Sequence, residues 1–127
     1  MEDLNIKQFQ EMNRKRSASW HNGIEWSLSD WAVAMAGECG EACNVVKKLN
    51  RVRDGLPEGR VKRSFMTDEY QAETRKYLTD CLAEEIADTM MYCFLLADAA
   101  GIDVQTALLE KYYEVSRSIG YEGDENE

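Results

Sequence analysis

Residues 31–49 read WAVAMAGECGEACNVVKKL. Trp31, Ala34 or Met35, position 38, positions 41 and 42, Val45 and Leu49 recur at the spacing of one buried stripe on an amphipathic helix. Two places on that stripe are Glu38 and Glu41, flanked by Gly37 and Gly40, where a sequence selected only for stability would carry Leu or Ala. The same irregularity recurs downstream. Leu78, Leu82, position 85, position 88, Tyr92 and Leu95 form a second stripe whose middle is Glu85 and Asp88.

Each acidic pair is spaced i, i+3, so its side chains are neighbours on a helix surface and can converge on one ion. Stripes that face each other would gather four carboxylates inside a helical bundle. Carboxylates about 5 Å apart, at an effective dielectric of about 20, repel by several times thermal energy. A divalent cation removes that conflict, and an all-oxygen set suits Mg²⁺, with Mn²⁺ as a substitute, over a soft-ligand metal. A ferritin-like di-iron bundle needs Glu-x-x-His on two helices; the single histidine, His21, lies outside both motifs.

Around these stripes the chain reads as all-α, a bundle of four to five helices. A first helix is expected over about residues 3–16, from Ile6, Phe9 and Met12 or Asn13. A connector, 17–29, holds Trp20, His21, Gly23 and Trp26, and Ser27 with Asp30 resembles a capping box, so the second helix should run from near Ser29 to Leu49. Gly55, Pro57 and Gly59 mark 50–66 as a surface loop. From Thr67, an expected N-cap, the pattern runs to Gly101 with a break anticipated near Leu78 to Asp80, and Asp103 caps a last helix to about Ser118. Residues 1–121 are expected to form one domain, with 122–127 an acidic mobile tail.

Length and composition agree: 127 residues, 44% hydrophobic, one Pro, net charge −9. That charge argues against nonspecific nucleic-acid binding, which needs Lys and Arg against phosphates. No uncharged apolar run approaches the roughly 18 residues of a spanning helix, and the first residues lack signal-peptide features, so no membrane and a cytoplasmic location are expected. Cys39, Cys43, Cys81 and Cys93 contain no CxxC pair; buried thiols are expected, and neither a disulfide framework nor a zinc site.

The stretch Ala36-Gly-Glu-Cys-Gly-Glu-Ala-Cys-Asn, then Glu84-Glu-Ile-Ala-Asp-Thr, then Ala100-Gly-Ile-Asp-Val resembles the MazG-like all-α nucleoside triphosphate pyrophosphohydrolases. The match covers about residues 28–48 and 82–121. The resemblance implies hydrolysis of a (deoxy)nucleoside triphosphate to the monophosphate and pyrophosphate. It implies Mg²⁺ held by Glu38, Glu41, Glu85 and Asp88, and a homodimer or homotetramer that builds a larger bundle with sites near subunit contacts. Glu38 and Glu41 are the candidates for catalysis, since a carboxylate not fully used in coordination can take a proton from the attacking water. Glu84 either orients ligands or is an exposed helix residue.

Two departures stand out. The 43 residues from Ala42 to Glu84 exceed the family's usual connector, and Lys111-Tyr-Tyr-Glu-Val-Ser-Arg keeps the family's Lys but lacks its Asn. Lys111 and Lys48 are the candidate phosphate contacts; Lys48 belongs to a cluster of seven of the fifteen basic residues within positions 47–63. The resemblance points to Phe9, Trp20, His21 and Trp26 for the base, although core packing is the first expectation for each Trp, and Trp31 is assigned to the core. The alternative is an inactive relative, a helical interaction module whose acidic seam is stabilised by a cation.

Overall fold

The computed structural model describes residues 3–21, 23–56 and 62–123. Among them are four α-helices and no strand: α1 (Ile6–Trp20), α2 (Leu28–Arg53), α3 (Asp68–Ala99) and α4 (Val104–Ile119), with a short 3₁₀ turn at Arg63–Phe65. No single described helix is long and apolar enough to cross a membrane. The chain divides into two compact units, one of Ser29–Cys93 and one of α1, α4 and the end of α3 from Phe94.

Helix starts follow local chemistry. Asn5 caps α1 through a reciprocal box: its side chain accepts from the Gln8 amide at 2.8 Å, while the Gln8 side chain accepts from the Asn5 amide at 2.9 Å. The helix therefore starts at Ile6 and runs four residues past the expected end, taking Ser17 to Trp20 from the connector. Thr67 caps α3, accepting from the Tyr70 amide at 3.1 Å. Asp103 caps α4 by accepting from the Thr106 amide at 3.1 Å; Gly101, at φ 71°, supplies the left-handed turn that separates α3 from it. α2 starts at Leu28, one residue before the expected place, and continues to Arg53.

The break anticipated near Leu78 to Asp80 does not form, and α3 is one helix of 32 residues. Nothing in 68–99 stops it: the segment has no Gly or Pro, Lys76 and Asp80 pair at i, i+4 across the suspected break at 3.0 Å, and Leu78 anchors into the core. The expected loop at 50–66 is shortened at its start by the last turn of α2. Pro57 and Gly59, which carry part of that reading, and Arg60 of the basic cluster lie outside the described residues, as do residues 124–127 of the expected tail.

Within Ser29–Cys93, Val45 and Val52 of α2 meet Leu78 of α3, with Leu49, Cys81 and Leu82 packed around them. Further along, Trp31 is buried as expected and its ring lies 6.2 Å from that of Tyr92. Position numbers rise along α2 as their partners fall along α3, so the two helices form an antiparallel hairpin. In the other unit, Phe9 packs on Phe94 with ring centroids 5.4 Å apart. The buried Gln10 there donates to Asp98 Oδ1 at 2.8 Å and to the Ile102 carbonyl at 2.9 Å, and accepts from the Val104 amide at 3.0 Å.

The cysteines depart from expectation. Cys39, Cys43 and Cys93 are exposed and Cys81 is partly buried; all four are free. The inward seam of each helix is set by bulkier neighbours, and three of the thiols sit one step outside it.

Candidate metal centre

Two apolar anchors bracket the middle of the α2–α3 hairpin. Trp31 with Tyr92 lies on one side, and Val45 with Leu78, Cys81 and Leu82 on the other. Between them, in the helical register of these anchors, stand Glu38, Glu85 and Asp88. Their positions are consequences of packing: anchors at 31 and 45 on one helix and at 78 and 92 on the other turn positions 38 and 85 to the same seam.

One carboxylate oxygen from each of Glu38, Glu85 and Asp88 lies within 4.8 Å of the others, and all three side chains are half-buried. Two oxygens bound to one Mg²⁺ at about 2.1 Å can be no more than about 4.2 Å apart. A sub-ångström rotamer adjustment from the observed spread brings the set into that range. Three protein oxygens would leave about three positions of an octahedron for water or phosphate oxygens, which is how Mg²⁺ is commonly held at phosphate-handling sites. The donor set, all carboxylate with no thiol or imidazole, fits a hard cation.

Electrostatics single out Glu85. Loss of water raises its carboxyl pKa above the ordinary value, and the neighbouring charges of Glu38, Glu41 and Asp88, with a hydrogen bond to Glu38, push the same way. The other three acidic residues read from the two motifs thus all act on Glu85, although Glu41 itself is exposed and is not among the three residues whose oxygens converge. Thr89 uses its hydroxyl on the Glu85 backbone carbonyl at 2.7 Å, not on a carboxylate.

This charge pattern has a measurable consequence. A carboxyl held above its unfolded value favours the fold most at pH below the unfolded value, and that contribution is lost as pH rises through the raised one. Without metal, Glu85→Gln should therefore melt higher than the parent at pH 7, and the gap should close as pH falls below the ordinary glutamate range. Melting curves of both proteins in chelator, from pH 7 to pH 4, read this directly; a variant that melts lower than the parent at pH 7 would contradict it.

The other expected site residues fall in several places. Lys48 is half-buried on α2, two turns beyond Glu41. Lys111 lies on α4 and pairs with Glu114 at 2.9 Å. Trp20, His21 and Trp26 form an edge-to-face cluster, with ring centroids 5.0 Å and 4.8 Å apart, and Trp20 is 69% exposed. Phe9 is not brought into it, being packed against Phe94. Glu84 is exposed. Trp31 and Tyr92 each stand on an expected stripe; that their rings meet beside the carboxylates is what the structure adds.

No family model, curated protein or solved structure matches this chain.

Proposed function

We propose that this protein is a Mg²⁺-dependent nucleoside triphosphate pyrophosphohydrolase, releasing a (deoxy)nucleoside monophosphate and pyrophosphate, and that it works as a homo-oligomer. The observation that carries the reading is the meeting of Glu38, Glu85 and Asp88 from two helices, with Glu41 in electrostatic reach. Likeness to the MazG-like motifs, Gly-Glu-x-x-Glu followed by Glu-Glu-x-x-Asp, supplies the reaction class.

Glu38, Glu85 and Asp88 would hold the cation, with Mn²⁺ able to replace Mg²⁺. When bound, the cation supplies charge neutralisation on phosphate oxygens and a water of lowered pKa. Glu41, exposed at the rim and acting on Glu85 only through space, is the carboxylate best placed to remain uncoordinated and take a proton from the attacking water. Lys48, on the same helix, would meet the leaving pyrophosphate charge, and Lys111 is the second phosphate candidate. The Trp20, His21 and Trp26 cluster offers flat faces for a base.

The test is a panel of standard and modified dNTPs and NTPs with purified protein and Mg²⁺. Pyrophosphate and a monophosphate are the expected products, lost on chelation and restored by Mn²⁺. Orthophosphate as the sole product would assign a different phosphatase chemistry. No turnover across the panel, with metal-dependent thermal stabilisation retained, would favour a cation-stabilised interaction module.

A further inference from the structure

A cleft between α1 and the turn from α3 into α4 shares no residue with the metal centre. It lies wholly within the unit built from α1, α4 and the end of α3. Its volume is about 800 Å³, within the range of small-molecule sites, and most of its wall is apolar. Met12 of α1 and Ile102 of the turn supply apolar side chains there, each 48% exposed.

Three carboxylates line the cleft, and two of them have a partner for each oxygen. Glu11 receives Arg14 on both oxygens, at 2.7 Å and 3.1 Å. Asp103 caps α4 through Oδ1 and faces Lys7 through Oδ2 at 3.8 Å. Asp98 differs. Its Oδ1 accepts from Gln10, but its Oδ2 is closed to water and, among the described residues, has no hydrogen-bond partner. An unmatched carboxylate oxygen shut away from water is costly, and burial already holds the Asp98 carboxyl above its ordinary value.

What this atom lacks is a donor, and a positively charged one matches it best, since hydrogen bonds between ionised groups are the strong ones. The two lysines of the wall do not meet the need: Lys7 is turned to Asp103 and Lys15 to Glu11. The Cβ–Cγ torsion of an aspartate is soft, so a donor entering the cleft can draw Oδ2 toward it while Oδ1 stays on Gln10. The net charge of −9 favours the approach of a cation.

We infer that this cleft binds a small organic cation, whose ammonium group meets the Asp98 carboxylate while its apolar body rests between Met12 and Ile102. The site is separate from the proposed reaction and does not depend on it.

The test uses the full chain, metal-free in chelator, with benzylammonium as the probe. Titration followed by amide NMR should give saturable shifts at Gly101, Ile102 and Asp103 and around Met12, with a Kd of about 1 mM, the scale open to a ligand of this size. Benzyl alcohol and phenylacetate keep the ring without the positive charge and should bind at least about tenfold more weakly. Asp98→Asn, nearly isosteric and able to keep an oxygen on Gln10, should cost about tenfold or more in affinity for benzylammonium. Met12→Lys sets a like charge in the wall at an exposed helix position, outside the Gln10 lock, and should weaken the probe to a similar degree. Circular dichroism checks each fold, and Met12→Lys decides alone if Asp98→Asn does not fold. Glu85→Gln should bind as the parent does. Equal binding of the three probes, or parental affinity in the folded variants of Asp98 and Met12, would overturn the site. Shifts gathered at Glu38, Glu85 and Asp88 would place the cation at the metal centre and overturn it too, as would the lack of saturation up to about 20 mM.

Discussion

Asp88→Asn is expected to lower metal-dependent pyrophosphate release by about 10²–10³-fold, the scale on which loss of one preorganised transition-state contact acts. The substitution is nearly isosteric and lies in mid-helix on a continuous α3, so the fold should persist; what changes is one charged oxygen of the three that converge. An amide oxygen still reaches a cation but contributes no net charge, so Mn²⁺ affinity should drop alongside turnover. Asp80→Asn is the matched control. Asp80 sits on the same helix but in an exposed pair with Lys76, and should leave activity unchanged. Glu38 and Glu41 then separate two roles. Glu38→Gln should reduce both Mn²⁺ binding and turnover, whereas Glu41→Gln should reduce turnover with Mn²⁺ binding retained, because Glu41 is outside the converging set. Equal losses of Mn²⁺ affinity in the two variants would place Glu41 among the ligands and remove it as the proton acceptor. Unchanged turnover in Asp88→Asn would end the proposed reaction at this centre.

Much of the centre could be read from the residue pattern because a carboxylate on an apolar helical stripe is a local conflict, and conflicts of that kind are visible without coordinates. Glu38, Glu85 and Asp88 converge for that reason. Glu41 is harder, since at 3.6 residues per turn a residue three places on has drifted about 60° round the helix; it still acts on Glu85 but stands at the rim. Helix caps at Thr67 and Asp103 were equally legible, being short-range chemistry. The continuity of α3 is less legible: 32 residues is long for a globular helix and suggests a break, yet the segment holds no Gly or Pro to make one. The cysteines escape the usual burial of thiols because burial is decided by which neighbours take the seam; Trp31, Val45 and Val52 take it on α2. The lock around Gln10 was beyond reach, as it joins α1 to groups some 90 positions away with no signature in either segment.

That lock sets the second large effect. Gln10→Met, close in length and apolar, should destabilise the α1–α4 unit by about 2–4 kcal/mol, from three lost hydrogen bonds, one of them to a carboxylate, and the buried partners they leave behind. The Gln10 amide satisfies Asp98 Oδ1 and the Ile102 carbonyl, and its carbonyl takes the Val104 amide at the first turn of α4, so one side chain ties two helices and the turn between them. A loss of that size is a large share of a domain's usual stability of roughly 5–15 kcal/mol. The pH dependence identifies the cause. Burial raises the Asp98 carboxyl above its ordinary value, the bond from Gln10 opposes that rise, and Arg14 opposes it more weakly. Without Gln10 the carboxyl should move further up. A carboxyl raised in the fold costs stability at pH above its folded value, and the cost fades as it takes up a proton. The deficit of Gln10→Met should therefore shrink as pH falls from neutral toward the ordinary aspartate range, measured by urea unfolding at each pH. A deficit independent of pH would mean that lost packing, and not the loss of a partner for the Asp98 carboxylate, is the effect of the substitution.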